Sequence, residues 1–170
     1  MGIMDVLSKS LLPLGVAKSV LCMDESMTGG ISIINNLDVD LYVWSVQKND
    51  GPQHILGSHS GRYHELWKPT IDDTGVSLKI ATNNDKSNVL QFEYSILHST
   101  LYWDLSCIDL KKDSEIILQG FSAIPNHQDC SPVICTPGDE KCPNVYHEPN
   151  DNHAIRGCAA STDIVLEIGQ

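Results

Sequence analysis

Basic side chains are scarce in this 170-residue chain: eleven Lys and Arg stand against twenty-two Asp and Glu, for a formal charge of −11. That balance repels nucleic acid and anionic membrane surfaces. The acids are spread along the chain rather than gathered in a tail, so they serve solubility first, and neutral or cationic partners stay open. No apolar run approaches the roughly 20 residues that span a bilayer as a helix. Helical periodicity is missing as well, since no apolar segment keeps a 3.6-residue period for the ten or so positions a helix needs. Gly-rich phosphate loops, a serine nucleophile elbow and a Cys-His catalytic signature are all absent. Among the seven histidines, His54, His59 and His64 recur every five residues. In an extended chain that spacing sends successive side chains to opposite faces, so they read as solvated groups, and no metal or cofactor is expected.

What is present is β alternation, starting at Gly29. Ile31 to Ile34 and Leu41 to Val46 read as two strands around the turn-prone Asn35-Asn36 and Asp38. Asn49-Asp50-Gly51-Pro52 is a strong turn signal, followed by a short strand at Ile55-Leu56. Tyr63 to Trp67 is closed by Pro69, which cannot donate to a ladder. Ser77 to Ala81 and Val89 to Ile96 alternate cleanly, and Ile116-Ile117-Leu118 with Phe121 complete this β part. Asp163 to Ile168 reads as the last strand. Short β runs divided by Gly, Pro and Asn predict an all-β sandwich.

Residues 1–28 lack this alternation. They hold a short apolar run, Leu11 to Ala17, behind Lys9 and flanked by Asp5 and Lys18. The expectation is a degenerate leader or a flexible N-terminal arm, dispensable for a domain spanning 29–170.

Between His127 and Cys158 the chain is rich in Pro, Asp and Asn and short of aliphatic runs, and it carries Cys130, Cys135, Cys142 and Cys158. Such a segment needs cross-links to be ordered. The cysteine spacing fits no usual zinc knuckle, so disulfides outweigh zinc. Pro137-Gly138 turns the chain for a local Cys135–Cys142 bridge, and Cys130–Cys158 then closes the outer loop. Cys22 and Cys107 are left over and either pair or stay apart.

The stretch Leu101 to Asp109 interleaves apolar bulk, two carboxylates and a thiol. As a strand it puts Trp103, Leu105 and Cys107 on one face and Tyr102, Asp104, Ser106 and Ile108 on the other. Asp104 then lies beside a packed surface and Asp109 at the strand end, either as a rigid carboxylate pair or as ordinary turn and strand-end acids.

Taken together, Ile34-Asn35-Asn36 through Val46, Val89 to Ser95, Tyr102 to Asp109, and Cys142-Pro143-Asn144-Val145-Tyr146-His147 running to Cys158 resemble small fungal thaumatin-like proteins of the Blastomyces yeast-phase-specific type. The resemblance covers about residues 29–170. It implies a secreted, disulfide-stapled antiparallel β-sandwich with an acidic cleft tied to glucan binding or hydrolysis. Asp104 and Asp109 match two cleft acids, while Gln91 and Asn144 stand where the family carries two more. No match for the cleft arginine is evident, Arg62 being merely near in sequence. Leu37 replaces the first-strand cysteine and the chain ends on Gln170 rather than a cysteine, so one family staple is missing, a loss of roughly 2–4 kcal/mol on chain-entropy grounds.

Glycoside hydrolysis usually needs one carboxyl as acid and another as base or nucleophile, and an amide does neither. A cleft of Gln91, Asp104, Asp109 and Asn144 therefore suits binding. Trp67, Trp103 or Tyr146 are candidate stacking faces, Trp103 also being a natural core residue. The expected function is a non-catalytic, extracellular monomer that engages cell-wall polysaccharide or a surface protein. One alternative is a weak endo-β-1,3-glucanase using Asp104 and Asp109; another is a cytosolic interaction protein with reduced cysteines.

Overall fold

Period-two alternation builds two packed sheets in the computed structural model, which describes residues 28–170. The expectations for the N-terminal segment and for Cys22 lie outside the described residues. In chain order the elements are β1 (Gly30–Asn35), β2 (Leu41–Val46), β3 (Asp50–Leu56), β4 (Arg62–Leu66), β5 (Val76–Ala81), β6 (Leu90–Leu97), β7 (Thr100–Ser106), α1 (Glu115–Gln119), β8 (Phe121–Pro125), β9 (Val133–Cys135), β10 (Arg156–Ala159) and β11 (Ile164–Ile168). One sheet has the order β4-β1-β11-β8-β9 and the other β10-β7-β6-β5-β2-β3. The fold is the all-β sandwich expected, with β1 and β11 paired in parallel.

Alternate residues of each strand meet between the sheets. Ile31, Ile33, Leu166 and Ile168 come from one side, and Leu78, Ile80, Phe92, Leu101, Trp103 and Leu105 from the other, all at most 1% exposed. Trp67, Phe92 and Trp103 form a column with centroid separations of 6.3 and 5.5 Å. Each such ring buries about 150–250 Å², more than any single aliphatic side chain around it.

At one end of the core sits a saturated polar cluster. The Glu65 carboxylate accepts from Ser45 Oγ at 3.2 Å and Tyr94 OH at 3.0 Å on Oε1. On Oε2 it accepts from Tyr63 OH at 2.7 Å and pairs with Lys68 Nζ at 2.9 Å. These partners come from both sheets, so the carboxylate ties β4 to the six-stranded sheet.

Three local expectations change. The segments read as two strands around a turn, β1 and β2, lie in different sheets: β1 pairs with β4 and β11, and β2 with β3 and β5. The polar turn changes layers, and buried Asn35 fixes it by donating to the carbonyls of Val39, Leu56 and Gly57. The reversal foreseen at residues 49–52 comes earlier, because β3 already begins at Asp50. Pro52 is tolerated there because β3 is an edge strand. Ile116-Ile117-Leu118 is not a strand but the short helix α1, whose N-cap Ser114 accepts from Ile116 N and whose C-cap Gly120 sits at φ 73°. Finally, the disulfide-stapled His127 to Cys158 segment, short of aliphatic runs in the sequence, still reaches both sheets and the core. Its β9 and β10 add an edge to each sheet, and Val133 and Val145 are buried in the common core. Cys130 is bonded to Cys158 and Cys135 to Cys142, with Cα separations of 5.4 and 5.5 Å.

Where the missing family staple is expected, packing takes over. Leu37 is 2% exposed. Its Cδ2 lies 3.0 Å from the point a Cβ on Gly169 would occupy, and Gly169 has φ +88°. Asn36 N donates to Ile168 O at 2.8 Å and Asn36 Nδ2 to Gly169 O at 3.1 Å. The C-terminal strand is thus held to β1 by its ladder, an apolar plug and two further hydrogen bonds.

Candidate functional site

Strands β5, β6 and β7 turn their apolar residues inward, which leaves a polar stripe on the outer face of the six-stranded sheet. Gln91, Glu93 and Ser95 from β6 stand opposite Ser106, Asp104 and Tyr102 of β7 respectively. On the other flank Ser77 faces Glu93 and Lys79 faces Gln91. The predicted face assignment of β7 holds, with Leu101, Trp103 and Leu105 buried while Tyr102 is 41% exposed.

The register makes Glu93 and Asp104 a directly opposed carboxylate pair, an arrangement that disfavours two charges. Burial, and then the Glu93 carboxylate, push Asp104 up to about 7, with Arg156 pulling the other way. Burial also raises Glu93, against the Ser77 hydroxyl and Lys79, with Asp109 adding to the rise. Asp104 Oδ1 is buried and accepts no hydrogen bond among the described residues, and Arg156 Nε is likewise without a partner there. The Arg156 guanidinium lies over the Trp103 ring, 5.3 Å from its centroid, and Nη1 donates to Ala154 O. Burial lowers the Arg156 pKa while Asp104 supports its charge.

The predicted residues come together in part. Gln91, 8% exposed, donates from Nε2 to Asp109 Oδ2 at 3.3 Å and accepts from Ser77 Oγ at 3.4 Å. Asp109 lies just past β7, and Asp104 is on the same sheet face as Gln91. Asn144 sits in the turn before Tyr146 and shares no hydrogen bond with the other three among the described residues. Tyr146 clamps that segment to the sheet, its N donating to Leu105 O at 2.9 Å and its carbonyl accepting from Cys107 N at 2.8 Å. Burial raises the Tyr146 hydroxyl pKa, with Asp104, Asp151 and Glu93 adding to the rise.

Several expectations are corrected. Arg62 belongs to β4 in the other sheet, and Arg156 is the arginine beside Asp104. Arg156 escaped sequence reading because β10, some fifty residues from Asp104 along the chain, has only four residues and a glycine. Glu93 was missed too, although its place two residues beyond Gln91 on an alternating strand puts it on the same face. Of the stacking candidates, Trp67, Trp103 and Tyr146 are 4%, 1% and 9% exposed, so none offers a free ring face. His54, His59 and His64 disperse: His54 packs on Tyr63, His59 pairs with Asp38, and His64 shares a hydrogen bond with Ser32.

Above the carboxylate pair runs an open groove of about 330 Å³, lined by Gln47, Ser77, Glu93, Tyr102, Asp104 and Ile155 among others. It offers hydroxyl, amide and carboxyl groups over an apolar floor, the mixture that orients a polyhydroxylated ligand.

A family model described as Blastomyces yeast-phase-specific protein matches residues 19–170. The chain is 38% identical over 144 residues to the secreted thaumatin-like protein calA of Emericella nidulans, covering 85% of this chain and 83% of that protein. It is 32% identical over 136 residues to an antigenic thaumatin-like protein of Arthroderma benhamiae, covering 80% and 68%. Among solved structures, the protein elicitor MoHrip2 from Magnaporthe oryzae superposes with a TM-score of 0.69 at 18% identity, over 84% of this chain and 99% of that one. The thaumatin-like xylanase inhibitor TLXI does so with a TM-score of 0.50 at 10% identity, over 81% and 97%. At such identities these two structures bear on the fold alone.

Proposed function

The chain belongs to the Blastomyces yeast-phase-specific family of fungal thaumatin-like proteins, and from that premise we propose that it is a non-catalytic protein binding neutral cell-wall polysaccharide in the outer-sheet groove. It is an extracellular protein, as its secreted relative and its two disulfides indicate, which sets aside a cytosolic chain with reduced cysteines. Residues 29–170 form the binding domain in this reading, with residues 1–28 a leader or arm.

The observation that carries the proposal is Asp104, whose side chain lines the groove while its buried Oδ1 has no donor among the described residues. In the groove a sugar hydroxyl meets the Asp104 carboxyl. Gln47 and Ser77 add an amide and a hydroxyl to the groove lining, while Gln91 and Asp109, bonded to each other, stand on the same face outside it. A net charge of −11 and a second carboxyl at Glu93 oppose anionic ligands, which is compatible with the uncharged chain proposed here.

One observation favours a second reading, a weak endo-β-1,3-glucanase. A carboxyl raised to about 7 opposite another carboxyl has the form of a general acid with its partner. That pair is Asp104 with Glu93 rather than Asp104 with Asp109. Against it, Gln91 and Asn144 stand where the family's other cleft acids are expected, and an amide neither protonates a leaving group nor attacks.

A glycan array and a laminarin hydrolysis assay on the folded protein separate the two. Binding to β-1,3-glucan without release of reducing sugar is expected, and Asp104→Asn should weaken binding by about 1–3 kcal/mol. Laminarin cleavage that vanishes in Asp104→Asn would establish the enzyme instead.

A further inference from the structure

We propose that Tyr102 is the stacking platform at the centre of a track joining two grooves, so that the ligand is an extended polysaccharide chain rather than a single sugar or a chain end. This rests on the glycan-binding reading above and specifies how the ligand lies.

Tyr102 lines the groove over Asp104 and also a second one of about 480 Å³ on the far side, formed with Ser99, Thr100, His127, Asp129 and Gly157 among others. The ring therefore stands as the shared wall between them. It is 41% exposed, whereas the other rings considered as platforms are buried.

Its cross-strand partner is Gly157. A Cβ there would lie 3.5 Å from Tyr102 Cε1 and 3.7 Å from Cδ1, so the ring leans over the bare backbone of β10. The ring covers Gly157 on one side, and His127 and Asp129 line the second groove with it. From Asp104 to Thr100 the track follows β7 for four residues, about 13 Å at 3.3 Å per residue, which exceeds one pyranose ring. The chemistry also fits: a pyranose has an apolar C–H face for the tyrosine ring and hydroxyls at its rim. The polar side chains flanking Tyr102 on both sides meet those hydroxyls.

Tyr102 has a purely structural alternative, covering an edge-strand glycine. Titration calorimetry of the full chain with a β-1,3-linked disaccharide and the corresponding hexasaccharide, together with thermal melts, decides between them. The hexasaccharide should bind more tightly than the disaccharide. Tyr102→Leu, which still covers Gly157, should weaken the hexasaccharide by about 2- to 10-fold, the range for one aromatic stack, while Tyr102→Phe keeps it. His127→Ala, in the distal groove, should weaken the hexasaccharide and leave the disaccharide unchanged. Equal affinity for both oligosaccharides, with Tyr102→Leu altering only the melting temperature, overturns the track and leaves the binding function standing. Failure of the parent to bind either overturns the glycan-binding reading itself.

Discussion

Glu65 and Asp104 are both carboxyls withdrawn from water, one between the sheets and the other on the outer face. Glu65 has four donors on its two oxygens, one of them the Lys68 ammonium. Asp104 has a buried oxygen with no donor among the described residues and a second carboxyl opposite it. The first arrangement compensates desolvation and ties strands together. The second leaves much of the cost uncompensated, since Arg156 offsets only part of it. Stability is commonly given up in this way where a group is held ready for a ligand. The contrast is the reason Glu65 reads as a structural carboxylate and Asp104 is proposed as a ligand-binding one.

The largest expected effect tests the structural half. Glu65→Ala removes a partner from Lys68, Ser45, Tyr63 and Tyr94 together. Because the Lys68 side chain is 42% exposed, its share is screened. The expected loss is about 2–4 kcal/mol, toward the lower end for breaking a buried pair. For a domain this size the melting temperature should fall by roughly 5–15 °C. Glucan affinity of the folded fraction should not change. An unaltered melting temperature would break the comparison from this side.

Asp104→Asn should act with the opposite sign. Its folded pKa of about 7 lies above the ordinary 3.8, so its contribution to stability is complete below about pH 4 and is lost as the pH rises toward 7. Above that point the folded state carries an ill-solvated charge, which the amide relieves. We expect Asp104→Asn to be more stable than the parent by about 1–3 kcal/mol above pH 7, with the gap closing toward pH 4. Denaturant titrations across that range measure it. A gain in stability together with a loss of glucan binding is the signature of a functional residue. Loss of stability with unchanged binding returns Asp104 to an ordinary strand acid.

The strands were legible in the sequence because alternation is a local signal, as in β6 and β7, where apolar and polar residues exchange faces at every step. Asp104 and Gln91 could be placed on one face for the same reason. Partners set by register across strands were not legible. Glu93 faces Asp104 through the β6–β7 pairing, and Arg156 reaches it through a four-residue edge strand anchored by the Cys130–Cys158 bond. The same limit hid the layer change between β1 and β2, since a turn signal says that the chain reverses and not which sheet it enters. Tyr102 was assigned to the correct face, yet its role depends on a glycine fifty-five positions away in the chain.

The smallest effect sharpens the comparison most, because it asks whether Asp104 is unusual through burial alone or also through its neighbour. Glu93→Gln removes the opposing charge but keeps the side chain's size, and its amide can donate to Asp104. Burial remains the larger cause of the raised Asp104 value, so the carboxyl should stay above its ordinary range yet titrate at lower pH than in the parent. Carboxyl-carbon NMR of Asp104 reads that shift directly. The stability gain above pH 7 should be about 0.2–1 kcal/mol, the scale of relieving like charges directly opposite on neighbouring strands. Glucan affinity should fall less than in Asp104→Asn, since the amide still offers hydrogen bonds to the groove. If the Asp104 titration does not move, the two carboxyls are uncoupled, and the unpartnered oxygen of Asp104 alone accounts for its state. If the titration moves and laminarin cleavage is lost at the same time, the pair was acting as acid and partner, and the hydrolytic reading replaces the binding one.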